Sequence, residues 1–179
     1  MSDVPRMSNV FLVGPMGSGK SAVGRQLALR LGLEFVDSDA EIEARTGVDI
    51  AYIFEREGEA GFRQREAEII DALTQRDGLL LSTGGGAILD AGTRARLRAR
   101  GRVVYLRTSV EQQLARTRRT NDRPLLNNDD PRGTLERLFQ QRAPLYLEVA
   151  EIVVDTDGRK VKTVVDQICR ELGQAGAAP

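Results

Sequence analysis

Histidine is absent from all 179 residues. The absence removes the side chain that most often moves protons near neutral pH, the His-based catalytic triad, and the commonest metal ligand. Any proton transfer must fall to a carboxylate, a lysine or water. Cysteine is almost missing as well. Cys169 stands alone, so no intrachain disulfide can form, and a reducing compartment is expected. It falls on the apolar face of a predicted final helix with Val161, Val164, Val165, Ile168 and Leu172, which reads as core filling. No apolar run approaches the roughly 20 residues of a membrane span. Residues 1–8 hold no apolar signal-peptide core, so a cytoplasmic protein without membrane attachment is expected. Net charge is lacking too, with 26 acidic and 26 basic groups. The charge is unevenly spread: from Arg94 to Arg119 nine arginines face a single acid, Glu111. Such a run can be a nucleic-acid surface. Arg94 and Arg98 lie one turn apart on a short predicted helix, however, and a glycine-rich loop elsewhere already supplies an anionic ligand. No nucleic-acid partner is expected.

Lysine is the scarcest cation, and its placement is informative. Lys20 is the only lysine before residue 160, and it sits in Gly14-Pro-Met-Gly-Ser-Gly-Lys-Ser21. A phosphate cradle needs a compact ammonium on a flexible stem, for which arginine's planar fork is a poor substitute. The spacing G-x-x-x-x-G-K-[ST] is the Walker A pattern. With 18 Gly, 3 Lys and 17 Ser plus Thr in the chain, an accidental match has a probability of about 0.3%. An apolar run at 9–13 precedes it and a helical pattern at 19–31 follows. Strand, glycine-rich turn and helix is the arrangement in which main-chain N–H groups converge on an anion.

Short apolar runs alternate with helical patterns along the rest of the chain. Strands are predicted at 9–13, 34–36, 79–81, 102–106 and 152–154. Helices are predicted at about 19–31, 39–46, 50–75, 90–99, 110–118, 132–148 and 160–172. Strands buried on both faces and joined by helical crossovers imply an α/β domain with a parallel sheet. One domain spans 1–179, with disordered tails expected at 1–7 and 173–179. The stretch 116–130 is crowded with charge and Asn, broken by Pro124 and poor in apolar anchors, and is expected to be a lid.

Ligands in such sheets gather at the carboxyl ends of strands. Four strand ends carry chemistry: the glycine-rich loop, Asp37-Ser38-Asp39, Thr83-Gly84-Gly85-Gly86 and Arg107-Thr108. Ser21 is placed to ligate Mg²⁺. Asp37 and Asp39 could serve a metal and an acceptor hydroxyl, or cap the helix that follows them. The three glycines expose bare backbone to a substrate, or form an ordinary loop. Arg63 and Glu66 stand at i, i+3 on a helix and could simply pair with each other. Arg142 precedes Pro144, which is expected to mark a kink or a helix boundary. Arg63 and Arg142 together could grip a carboxylate.

The set Gly14–Ser21, Asp37-Ser-Asp39, Phe62-Arg63-x-x-Glu66, Gly84-Gly-Gly86, Arg116 with Arg123-Pro124, and Arg142-x-Pro-Leu-Tyr146 resembles the shikimate kinase family, in the family's order from residue 9 to about 172. The resemblance implies a three-layer P-loop kinase with a five-stranded parallel sheet in order 2-3-1-4-5, helices on both faces and a mobile lid. It implies transfer of the γ-phosphate of ATP to the 3-hydroxyl of shikimate, with Mg²⁺ as cofactor. A monomer acting on these two small molecules is expected. Gly17, Ser18, Gly19, Lys20, Ser21 and Ala22 would wrap the phosphates. Ser21, and Asp37 through water, would hold Mg²⁺. Asp39 would orient or deprotonate the hydroxyl. Arg63 and Arg142 would clamp the carboxylate beside Gly84, Gly85 and Gly86. Arg123 would reach the γ-phosphate, and Arg116 and Arg159 would flank adenine. Family members often end this loop Lys-Ser-Thr or Lys-Thr-Thr where this chain has Lys-Ser-Ala, so at Ala22 one side-chain contact to the α-phosphate is lost. A related kinase for gluconate, or an ATP-binding module without transfer, stays open as an alternative.

Overall fold

The computed structural model describes residues 8–118 and 124–175. Five strands, β1 (Val10–Val13), β2 (Glu34–Asp37), β3 (Leu79–Ser82), β4 (Arg102–Arg107) and β5 (Ile152–Asp155), pair in parallel in the order β2-β3-β1-β4-β5. Helices α1 (Lys20–Leu31), α2 (Ser38–Thr46), α3 (Ile50–Thr74), α4 (Ala91–Arg100), α5 (Val110–Thr117), α6 (Pro131–Val149) and α7 (Val161–Ala175) connect them.

Alternation along the strands divides the core into two layers. Phe11, Val13, Leu79, Leu81, Val103 and Tyr105 face α2, α3, α4 and α6. Val10, Leu12, Leu80, Val104 and Leu106 face α1 and α7. The three inner strands are buried almost throughout, as expected. The edge strands are not: β2 is at most half-buried and Asp155 of β5 is exposed, because each has a neighbour on one side only.

Two further expectations need correction. Of the two readings of Pro144, the boundary is overturned, since α6 continues through it to Val149. The lost main-chain hydrogen bond is offset by packing beyond it. Tyr146 is buried, stacks on Tyr105 with ring centroids 4.9 Å apart, and donates its hydroxyl to the Gly85 carbonyl. Of the expected C-terminal tail, residues 173–175 belong to α7, which runs through Ala175, and residues 176–179 lie outside the described residues. The expected N-terminal tail lies outside the described residues. Of the expected lid, α5 takes Arg116 and Thr117 and a 3₁₀ turn forms at Pro124–Leu126. Residues 119–123 are outside the described residues, and Arg123 is among them.

Five of the nine arginines in the run pair with acids from elsewhere in the chain. Arg94 pairs with Glu148, Arg96 and Arg100 with Asp71, Arg102 with Glu151, and Arg107 with Asp155. The last pair sits where β4 and β5 are in register, so this strand end, read as chemical, is used structurally in the described conformation.

Candidate active site

The register of the sheet brings the carboxyl ends of β1, β2 and β3 together. Asp37 lies opposite Ser82, and the loop after β3 starts where Thr83 bonds back to Leu12 of β1 through both its N–H and its hydroxyl. The glycine-rich loop leaves β1 and turns into α1 at Gly19, whose left-handed φ of 87° suits a residue without Cβ. Lys20 Nζ donates to the carbonyls of Gly14 and Pro15, 2.7 and 2.8 Å away, and to Ser18 Oγ at 3.3 Å. Ser18 is buried under the loop, while Ser21 and Ala22 are exposed on the first turn of α1. Arg116 of α5 straps the loop by donating to the Gly17 carbonyl at 2.8 Å.

Asp37 does two jobs with two oxygens. Oδ1 caps α2, accepting from the N–H groups of Asp39 and Ala40. Oδ2 accepts from the Ser21 hydroxyl at 3.2 Å. The cap is therefore Asp37, which frees Asp39 to point elsewhere. Ser38 is buried and accepts from the Gly84 N–H at 3.0 Å, tying the start of α2 to the triple-glycine loop.

Asp39, Arg63, Glu66, Gly84, Gly85, Gly86 and Arg142 line one cavity of about 470 Å³, which Met16 of the glycine-rich loop also lines. Residues more than a hundred positions apart meet there. Two of the three glycines, Gly84 and Gly86, sit in crowded places, while a Cβ at Gly85 would meet only ordinary contacts. A Cβ at Gly84 would stand 2.6 Å from Glu66 Oε2 and 2.8 Å from Asp39 Oδ1, and one at Gly86 would overlap the Arg63 guanidinium. Phe54, Phe62, Ile50 and Leu125 supply apolar surface. A polar floor with apolar walls suits a small ring carrying hydroxyl and carboxylate groups.

The charges in this floor are strongly perturbed. Glu66 is 2% exposed and bonds Arg63 at 2.7 Å. Burial pushes its carboxyl up to about 7, with Asp39 adding to the rise and Arg63 and Arg142 opposing it. Arg142 is 4% exposed, and burial, reinforced by Arg63, lowers its pKa. A buried guanidinium, Arg142, and a partly buried one, Arg63, line the same cavity and together suit an anion.

Glu66 was readable from the sequence only as a local partner of Arg63. Its i, i+3 spacing was the available signal, and its position against Asp39 depends on the β3 loop. Tyr146 entered only as the last residue of the Arg142-x-Pro-Leu-Tyr146 motif, with no role of its own. Arg159 stands apart from this group in the described conformation, donating to the Asp155 carbonyl and to Gln167 of α7. Nothing in these contacts carries it to the glycine-rich loop.

Comparison with known proteins agrees with this assembly. Residues 16–173 match the profile of the shikimate kinase family. Shikimate kinases of Halorhodospira halophila and Shewanella amazonensis are 58% and 55% identical over 165 residues, 92% of this chain and 93% and 96% of theirs. A solved structure of shikimate kinase from Acinetobacter baumannii in complex with shikimate matches with a TM-score of 0.94 at 48% identity, covering 96% of each chain.

Proposed function

This chain belongs to the shikimate kinase family, and from that premise we propose how its own residues transfer the γ-phosphate of ATP to the 3-hydroxyl of shikimate. One observation carries the reading: Asp39, Arg63, Arg142 and the Gly84–Gly86 backbone line one cavity together with Met16 of the glycine-rich loop.

Arg63 and Arg142 grip the acceptor carboxylate, and the glycine backbone lies along its ring. Asp39 accepts a hydrogen bond from the attacking hydroxyl and aims it at the γ-phosphorus. The hydroxyl oxygen forms the new P–O bond as the bond to the β–γ bridging oxygen breaks, and ADP leaves. The hydroxyl proton passes to Asp39 or onward to water. Little general-base strength is needed, because phosphoryl transfer depends chiefly on alignment and charge neutralisation. A chain without histidine can meet that requirement.

Gly17 to Ala22 wrap the phosphates, and Lys20 exchanges its neutral carbonyl acceptors for phosphate oxygens, a charge-assisted gain. A divalent cation fits beside Ser21 and Asp37, whose oxygens already lie 3.2 Å apart. Two hard oxygen donors, completed by phosphates and water, suit Mg²⁺. The described residues contain no cluster of three or more acidic, Cys or His ligands, so the nucleotide must bring most of the coordination. When bound, the ion neutralises phosphate charge. Arg123 is assigned to the γ-phosphate by family resemblance, and Arg116 and Arg159 to the adenine side. The placement of Leu125 at the acceptor cavity supports a covering role for the segment around it. The enzyme works as a cytoplasmic monomer on two small molecules.

The test is ADP release with MgATP and candidate acceptors. Strong turnover with shikimate and none with gluconate is expected. Turnover with gluconate alone overturns the acceptor, and ADP release indifferent to either acceptor favours a nucleotide-binding module.

A further inference from the structure

The helix that supplies Arg63 and Glu66 is not one rod. Gly58, at φ 70° and ψ −177°, breaks α3 into a short arm, residues 50–57, and a long arm running to Thr74. The short arm is a wall between two hollows. Its inner face, with Ile50, Ala51 and Phe54, lines the acceptor cavity. Its outer face, with Tyr52, Ile53, Arg56 and Glu57, lines a second hollow of about 490 Å³ that Arg65 of the long arm also borders.

Two ties cross the break, one on each side. Inside, Phe54 meets Phe62 with ring centroids 4.9 Å apart. Outside, Arg65 donates to both oxygens of Glu57, at 2.8 Å from Nε and 2.6 Å from a terminal nitrogen. This two-pronged geometry fixes an angle as well as a distance. The two glycines nearby serve different needs. Gly58 is required by its φ, since a Cβ there would meet nothing within 4 Å. Gly61 is required by space, because a Cβ there would stand 2.5 Å from Glu57 Cβ. The chain thus clears room for the ion pair and supplies the bend that it spans.

We propose that Glu57 and Arg65 are positioning residues for the acceptor: their ion pair holds the short arm at the angle that seats Ile50 and Phe54 against Phe62 and Arg63, and so tunes affinity for the acid ring without touching it. The proposal rests on the shikimate reading above. The phosphate loop belongs to β1 and α1, so nucleotide affinity is outside its reach.

Exposed ion pairs act weakly, and the expected effect is correspondingly graded. In the whole protein, Glu57→Ala and Arg65→Ala each raise the KM for shikimate about two- to five-fold and leave the KM for ATP unchanged. The double variant is no worse than either single one, and Arg65→Lys lies between wild type and Arg65→Ala. Amide hydrogen exchange over residues 50–57 speeds up in both single variants. Additive losses, an equal rise in both KM values, or unchanged exchange would overturn the proposal. The exchange measurement needs no turnover. Failure of wild-type protein to phosphorylate shikimate would therefore sink the functional reading, while exchange judges the ion pair separately.

Discussion

Lys20 and Glu66 place opposite demands on solvent. Lys20 keeps its ammonium among carbonyls at the mouth of the phosphate loop and carries no core packing. Lys20→Ala is expected to lower turnover at least about 100-fold, with circular dichroism and melting temperature close to wild type. A variant turning over at the wild-type rate would refute the role. Glu66 is buried, and its cost appears as pH dependence. In the unfolded chain the carboxyl titrates near 4.5, and in the folded protein near 7. Between those values the unfolded chain has lost a proton that the folded chain keeps. The contribution to stability is therefore full below pH 4.5 and is lost as pH rises through 7, a change on the order of 3 kcal/mol. Glu66→Gln removes this titration. Its stability relative to wild type, from urea unfolding, should improve by about 2 to 3 kcal/mol between pH 5 and pH 8. A difference between the two proteins that stays constant with pH would show that burial does not govern Glu66.

At the scale of elements, α1 depends on a glycine that helix propensity argues against. A Cβ at Gly24 would stand 2.6 Å from the Phe35 ring and 3.3 Å from Leu12 Cδ1, so the bare Cα lets α1 settle on β1 and β2. Gly24→Ala gains about 1 kcal/mol in helix propensity and loses about 1 to 3 kcal/mol by overpacking. Overpacking should win, lowering the melting temperature by a few degrees; a higher melting temperature would show that Phe35 moves aside freely. The capping of α2 and the break in α3 separate what was legible from what was not. Two acids before a helix announced a cap, but the choice between Asp37 and Asp39 needed the backbone, where Asp37 receives the Asp39 and Ala40 N–H groups. The break at Gly58 was invisible because the apolar period continues on both sides of it. The boundary reading of Pro144 failed for a related reason: the rule that proline ends a helix is local, and the contacts of Tyr146 are not.

Across the whole molecule, the two substrates draw on different parts of the sheet. β1 and α1 supply the phosphate side, while β2, β3, α3 and α6 supply the acceptor cavity. Arg63→Ala should therefore raise the KM for shikimate by about 30-fold or more, the equivalent of about 2 kcal/mol, and leave the KM for ATP within about two-fold. Equal effects on both would contradict the separation. The sequence by itself determined what local spacing can encode: a phosphate loop between strand and helix, the absence of histidine chemistry, and five strands and seven helices whose ends fell within a few residues of those observed. Hydrophobic runs and glycine spacing act between near neighbours, so they survive in one dimension. Tertiary structure alone decided that Glu66 faces Asp39, that Tyr146 holds the glycine loop, and that Arg107 is occupied by Asp155. Those contacts join residues distant in the chain, and their existence depends on the sheet order that sets one strand end beside another.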